Sequence, residues 1–140
     1  MTKTTSYEIS KELKEIGFKA ESEKVWAGDN AVFQDDLYQL KNKKDLHKFD
    51  KFNYYAALDL ETILDALPKH IEFKGPRRYA QESAYLALEF SKSSLPEVDY
   101  IYDDYDHTPV YNLIHIEGES LADTAARLLI TLIKDKIVKL

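Results

Sequence analysis

The C-terminal segment constrains the fold more than any other part of the chain. Leu121, Ala125, Leu128, Leu129, Leu132 and Ile133 recur at three- and four-residue intervals, which places them on one face of a helix. The run that opens with Gly118-Glu119-Ser120-Leu121-Ala122-Asp123 and continues to Leu140 therefore reads as one amphipathic helix. Such a face must be buried against another element, so the segment speaks to architecture. It carries no chemistry of its own.

The 140 residues, 44% of them hydrophobic, fit one globular domain over 1–140 with a modest core. No run approaches the roughly 20 apolar residues of a membrane-spanning helix, so no membrane partner is expected. Met1 to Ser6 lacks the apolar stretch of a secretory signal. The chain has no cysteine, which excludes disulfides, thiol catalysis and thiolate metal sites and suits a reducing cytoplasm. A cytoplasmic location is the expectation. A net charge of −6 argues against general nucleic-acid binding, which rests on Lys and Arg meeting phosphates. With four glycines there is no glycine-rich phosphate loop, whereas ten tyrosines are unusual for the length.

Along the chain, Ser6 or Thr5 caps a first helix through Ile16, with Ile9, Leu13 and Ile16 on one face, Gly17 as its stop and Phe18 folding back. Lys24 to Ala27 and Ala31 to Leu40 read as strands around an Asp29-Asn30 turn, and 41–52 as a lysine-rich loop with room for a helical turn. Asp59 caps a short helix that turns Leu60, Ile63, Leu64 and Leu67 inward and ends at Pro68. His70 to Lys74, Ser83 to Ser91, Val98 to Tyr102 and Val110 to Ile116 are strands, the second with a clear period of two. The order is helix, strands, helix, antiparallel meander, helix. It predicts an α+β domain whose three helices pack mainly on one face of an antiparallel sheet.

Three segments carry a resemblance. Glu12-Leu13-Lys14-Glu15-Ile16-Gly17-Phe18, followed by Trp26, is similar to the opening helix of a family of small uncharacterised proteins found in phages, prophages and bacterial genomes. Tyr55 to Pro68 resembles that family's middle helix ending in Leu-Pro, with Ala57 where the family usually has proline. Glu119-Ser120-Leu121-Ala122-Asp123-Thr124-Ala125-Ala126-Arg127-Leu128-Leu129 resembles its closing helix. The resemblance implies a phage or prophage setting and no particular reaction.

Several groups are candidates for chemistry or contact. Asp103, Asp104, Asp106 and His107 could hold a hard cation, but no glycine or closing glutamate gives them the spacing of a calcium loop, and a solvated turn is the preferred reading. No metal and no cofactor is assigned. His115, set against Glu89 or Asp99 across the sheet, has the chemistry of an acid or base, yet a polar residue on an open sheet face is the simpler account, and no catalytic residue is assigned. Tyr100 and Tyr102 alternate on one face of a strand, and Tyr85 and Tyr111 can join them. With Asp103, Asp104 and Asp106 they form the proposed protein-binding surface, because tyrosine supplies area with a polar tip. Cross-strand aromatic packing under a helix is the competing account. Lys43, Lys44, Lys48, Arg77 and Arg78, interleaved with aromatics, are the nucleic-acid candidates.

The expectation is a non-enzymatic accessory protein that binds another protein, such as an inhibitor or regulator of a host factor. A nucleic-acid-associated factor and a metal-dependent enzyme are the alternatives. A homodimer through a sheet edge or the tyrosine face is left open.

Overall fold

The computed structural model describes residues 4–27, 39–46, 54–74, 81–89, 96–102, 109–114 and 119–140. In chain order the elements are α1 (Tyr7–Glu15), β1 (Lys24–Ala27), β2 (Gln39–Asn42), a 3-10 turn (Lys43–Asp45), β3 (Tyr54–Ala56), α2 (Leu60–Ala66), β4 (His70–Lys74), β5 (Gln81–Glu89), β6 (Glu97–Tyr102), β7 (Pro109–Ile114) and α3 (Leu121–Lys134). The class is α+β. The strands form two antiparallel sheets, one of three strands in the order β2-β1-β3 and one of four in the order β4-β5-β6-β7. The second is the expected meander. No helix among the described residues is long and apolar enough to cross a membrane.

Each helix starts where its side-chain chemistry says it should. Ser6 Oγ accepts from the Ile9 amide, Asp59 Oδ1 from the Thr62 amide at 2.8 Å, and Ser120 Oγ from the Asp123 amide at 3.1 Å. The Thr62 bonds hold the Asp59 carboxyl below its usual range. The ends of α1 and α3 follow one pattern. At the end of α1 the Phe18 and Gly17 amides return to the Leu13 and Lys14 carbonyls, with Gly17 at φ 91°. At the end of α3 the Ile137 and Lys136 amides return to Leu132 and Ile133, with Lys136 at φ 62°. The last helix therefore stops at Lys134 instead of running to Leu140. The chain reverses there, and Ile137 and Val138 pack back on the core.

The main core lies between α3 and the four-stranded sheet, with α1 and α2 closing it. Register puts Ile71, Ala84, Leu86, Val98, Tyr100, Tyr111 and Leu113 on the face that joins this core. The other face is not bare at β6, where Asp99 and Ile101 are also buried. A smaller core of Val25, Ala27 and Leu46, with Tyr54 against it, supports the three-stranded sheet.

The N-terminal strap ties the two parts. Thr5 donates its amide to the Leu58 carbonyl at 2.8 Å, receives the Leu58 amide on Oγ1 at 3.0 Å, and offers its carbonyl to Trp26 Nε1 at 2.9 Å. Ser120 donates to the Thr4 carbonyl, and the Ser6 amide donates to Asp123 Oδ1 at 2.7 Å. One carboxylate in the first turn of α3 thus satisfies the N-cap amide of α1, a capping box divided between two helices. Burial pushes the Asp123 carboxyl above its usual range despite that bond.

Residues 28–38 lie outside the described set, so the expected Ala31 to Leu40 strand is seen only from Gln39 onward, and it extends to Asn42. The helical turn in the lysine-rich stretch is present at Lys43–Asp45. The strand at Tyr54–Ala56 was not expected. It is three residues long and arises from pairing with β1, which is a tertiary effect with little local signal.

Candidate binding surface

Tyr100 does not belong to an exposed surface. It is 0% exposed, its hydroxyl donates to the Pro68 carbonyl at 2.6 Å, and its ring meets Tyr111 edge-on at 6.5 Å. Tyr111 is half-buried, and its hydroxyl donates to Asp135 at 2.9 Å. Burial raises both phenols, that of Tyr111 to about 12 with Asp135 adding to it. The sheet face proposed for protein binding is therefore the face that α3 covers, and cross-strand aromatic packing accounts for these two tyrosines. Tyr85 pairs with Ile101 in register and lies on the opposite face. Tyr102 ends β6 opposite Ala84, and Asp103, Asp104, Asp106, His107 and His115 lie outside the described residues. Among the described residues no group of three acids and histidines could hold a metal ion.

A different set of tyrosines faces solvent. In α1, Tyr7, Lys11 and Lys14 fall at positions i, i+4 and i+7, so they share one line on the helix beside the buried Leu13. β3 contributes Tyr54 and Tyr55, and the 3-10 turn contributes Lys43. Tyr7 and Tyr55 meet edge-on with centroids 5.7 Å apart. Lys11 lies 6.0 Å from the Tyr7 centroid, Lys14 5.1 Å from Tyr55 and 5.6 Å from Tyr54, and Lys43 5.5 Å from Tyr54. Successive strand residues point to opposite faces. Lys14 reaches both rings because β3 is an edge strand and the ammonium sits at that edge, donating to the Tyr54 carbonyl at 2.8 Å. All three rings are half-exposed, and Lys14 is exposed.

Lys43 is paired with Glu21, and the hydrogen bond that its ammonium donates to Glu21, then the one it shares with Tyr54, raises its pKa. Lys44 is exposed beside it. Lys48, Arg77 and Arg78, the other nucleic-acid candidates, lie outside the described residues.

Beneath the Lys-Tyr line is a pocket of about 200 Å³ between α1 and β3. Leu13, Phe18, Ala20, Ala56 and Leu58 give it an apolar lining, with Lys14, Lys19, Glu21 and Tyr54 among its polar and aromatic walls. A wider polar depression adjoins it between Glu21–Glu23 and Asn42–Lys44. Lys14 and Tyr7 were not singled out from the sequence. The signal for them was present in the spacing of Tyr7, Lys11 and Lys14, but their partners Tyr54 and Tyr55 are distant in sequence and meet them only through β3.

In comparison with protein-family models, with curated proteins and with solved structures, nothing matches the chain.

Proposed function

We propose that this chain is a non-catalytic binding protein whose contact surface is the Lys-Tyr face of α1 and β3. The observation that carries the proposal is the set of three half-exposed tyrosines, Tyr7, Tyr54 and Tyr55, with the ammonium groups of Lys11, Lys14 and Lys43 over their rings and an apolar pocket alongside. Rigid aromatic area with polar tips, set around a small apolar recess, is the composition of a protein–protein contact core. The rings hold one another and the lysine stems in place, so less side-chain entropy is lost on binding. An accessory role in a phage or prophage setting, blocking or regulating a host factor, follows the resemblance of the three helical segments.

The test is affinity capture from a bacterial extract with wild-type protein and with a Lys14→Glu/Tyr55→Ala variant of unchanged circular dichroism and melting temperature. A stoichiometric protein partner bound by the first and lost by the second is the expected result. A partner retained by the variant removes this surface.

A second reading is a single-stranded nucleic-acid factor using Lys14, Lys43 and Lys44 around Tyr54. Two ammonium groups over one ring favour it, since phosphates would find cations beside a stacking platform. Those ammonium groups also stand where a base would stack, and the net charge is −6, so it ranks second. It requires affinity for an oligonucleotide that falls steeply as salt rises.

A further inference from the structure

We propose that the pocket between α1 and β3 seats one large apolar side chain of an acidic segment on a partner protein. The proposal rests on the binding-protein reading above and assigns the chemistry of what is bound.

Size decides the first part. At about 200 Å³ the pocket falls below the roughly 300–1,000 Å³ of sites that enclose a cofactor or drug-sized ligand. It is commensurate with a single large side chain. Its lining selects an apolar one. Leu13 and Leu58 are each 2% exposed, so they are fixed parts of the core rather than mobile flaps. Phe18 is held in place by the turn that ends α1, where Gly17 takes the left-handed conformation and the Phe18 amide returns to the Leu13 carbonyl at 2.9 Å. The pocket is thus preformed, and a side chain entering it gains burial without ordering the walls first.

Charge decides the second part. Lys14 and Lys19 stand at the pocket, with Lys11 and Lys43 further along the same face. Lys14 uses one of its three donors on the Tyr54 carbonyl, and among the described residues it meets no carboxylate. Glu21, the acid of the pocket wall, is already engaged by Lys43. A carboxylate next to the inserted side chain would give Lys14, whose ammonium is solvent-exposed between the Tyr54 and Tyr55 rings, an ionic partner. Complementarity of this kind sets which partners are admitted more than how tightly they bind.

The experiment is amide NMR of the ¹⁵N-labelled protein titrated with three acetylated pentapeptides, Asp-Asp-Phe-Asp-Asp, Asp-Asp-Ala-Asp-Asp and Lys-Lys-Phe-Lys-Lys, and with a deoxythymidine octamer. The expected result is saturable shifts at Leu13, Ala20, Tyr54 and Ala56 with the first peptide, and about tenfold or more weaker binding for the other two. Ala20→Trp, which fills the recess, and Lys14→Glu, which reverses the charge at its mouth, each abolish the response in protein that retains its spectrum. If Ala20→Trp does not fold, the charge reversal alone decides. No saturable shift at the pocket, equal response to the basic peptide, or a response to the octamer alone overturns the proposal, the last in favour of nucleic acid. A partner captured through Lys14 and Tyr55 but indifferent to Ala20→Trp leaves the binding face standing and removes only the seated side chain.

Discussion

Tyr100 and Tyr111 on the four-stranded sheet and Tyr54 and Tyr55 on the three-stranded sheet are the same residue type used in opposite ways. The first pair is fixed by packing under α3, with each hydroxyl bonded to a group of the protein, Pro68 and Asp135. The second pair stays half-exposed, with cations from α1 and the 3-10 turn set over the rings. The difference is one of cover. The fourteen-residue α3 packs on β6 and β7 of the larger sheet, while among the described residues the three-stranded sheet rests on Val25, Ala27 and Leu46 and has β3 at its edge. Tyrosine on a covered face stabilises the fold, and tyrosine at an edge keeps part of its ring in water.

The largest expected effect is at Tyr100. Truncation to Ala removes a fully buried ring and should cost about 3–5 kcal/mol in urea or thermal unfolding. Tyr100→Phe leaves the Pro68 carbonyl without its donor and should cost about 1–2 kcal/mol. Tyr55→Ala should cost about 1 kcal/mol or less, as expected for a half-exposed site. A large loss at Tyr55, or a small one at Tyr100, breaks the comparison. It also follows that Tyr100→Ala is a poor probe of binding, because it removes core.

The phenols sharpen the contrast with pH. Tyr111 is pushed up to about 12, from an ordinary 10. Between those values the unfolded chain has released a proton that the folded chain keeps, so stability is full below pH 10 and falls as pH rises toward 12. Tyr111→Phe should flatten that part of the stability–pH curve. In an ultraviolet titration, Tyr111 and Tyr100 should ionise late, and a normal titration in either variant-resolved step would contradict their burial.

The helix ends offer a smaller test. Both close with the same pair of returning amides, but α1 places Gly17 in the left-handed position and α3 places Lys136 there. A side chain in that conformation is strained. Lys136→Gly should raise stability by about 0.5–1 kcal/mol and firm the turn that presents Asp135 to Tyr111. No gain in melting temperature would mean the strain is relieved by the packing of Ile137 and Val138.

The helices were legible in sequence because caps and 3.6-residue periodicity are local. Ser6, Gly17, Asp59 and Pro68 mark ends within one turn of the residues they govern. The meander was legible for the same reason, since Ala84, Leu86 and Leu88 alternate with their neighbours. What alternation cannot say is which face is covered. Tyr100 reads identically whether α3 or water lies above it, so an exposed face was expected where a buried one exists. The Lys-Tyr surface failed to appear for a related reason: Lys14 and Tyr54 are 40 positions apart and are joined by a short strand with no periodicity to detect.

The smallest expected effect on stability comes from Lys14, and it separates the two regions most cleanly. Its ammonium is exposed, and surface contacts of this kind contribute little. Lys14→Ala removes a bond to the Tyr54 carbonyl, which edge water can replace, and two cation–ring contacts of the weak, solvated type. Unfolding should shift by no more than about 0.5 kcal/mol. If the proposed face binds an acidic partner, partner capture and the acidic-peptide response should both fall, because the Lys14 charge is gone while the rings remain. Lys14→Arg should restore capture in part, as a planar guanidinium keeps the charge and the ring contact with altered geometry. If Lys14→Ala instead unfolds the protein, Lys14 is a strut holding α1 to β3, and the face built on it is part of the scaffold rather than a place where something binds.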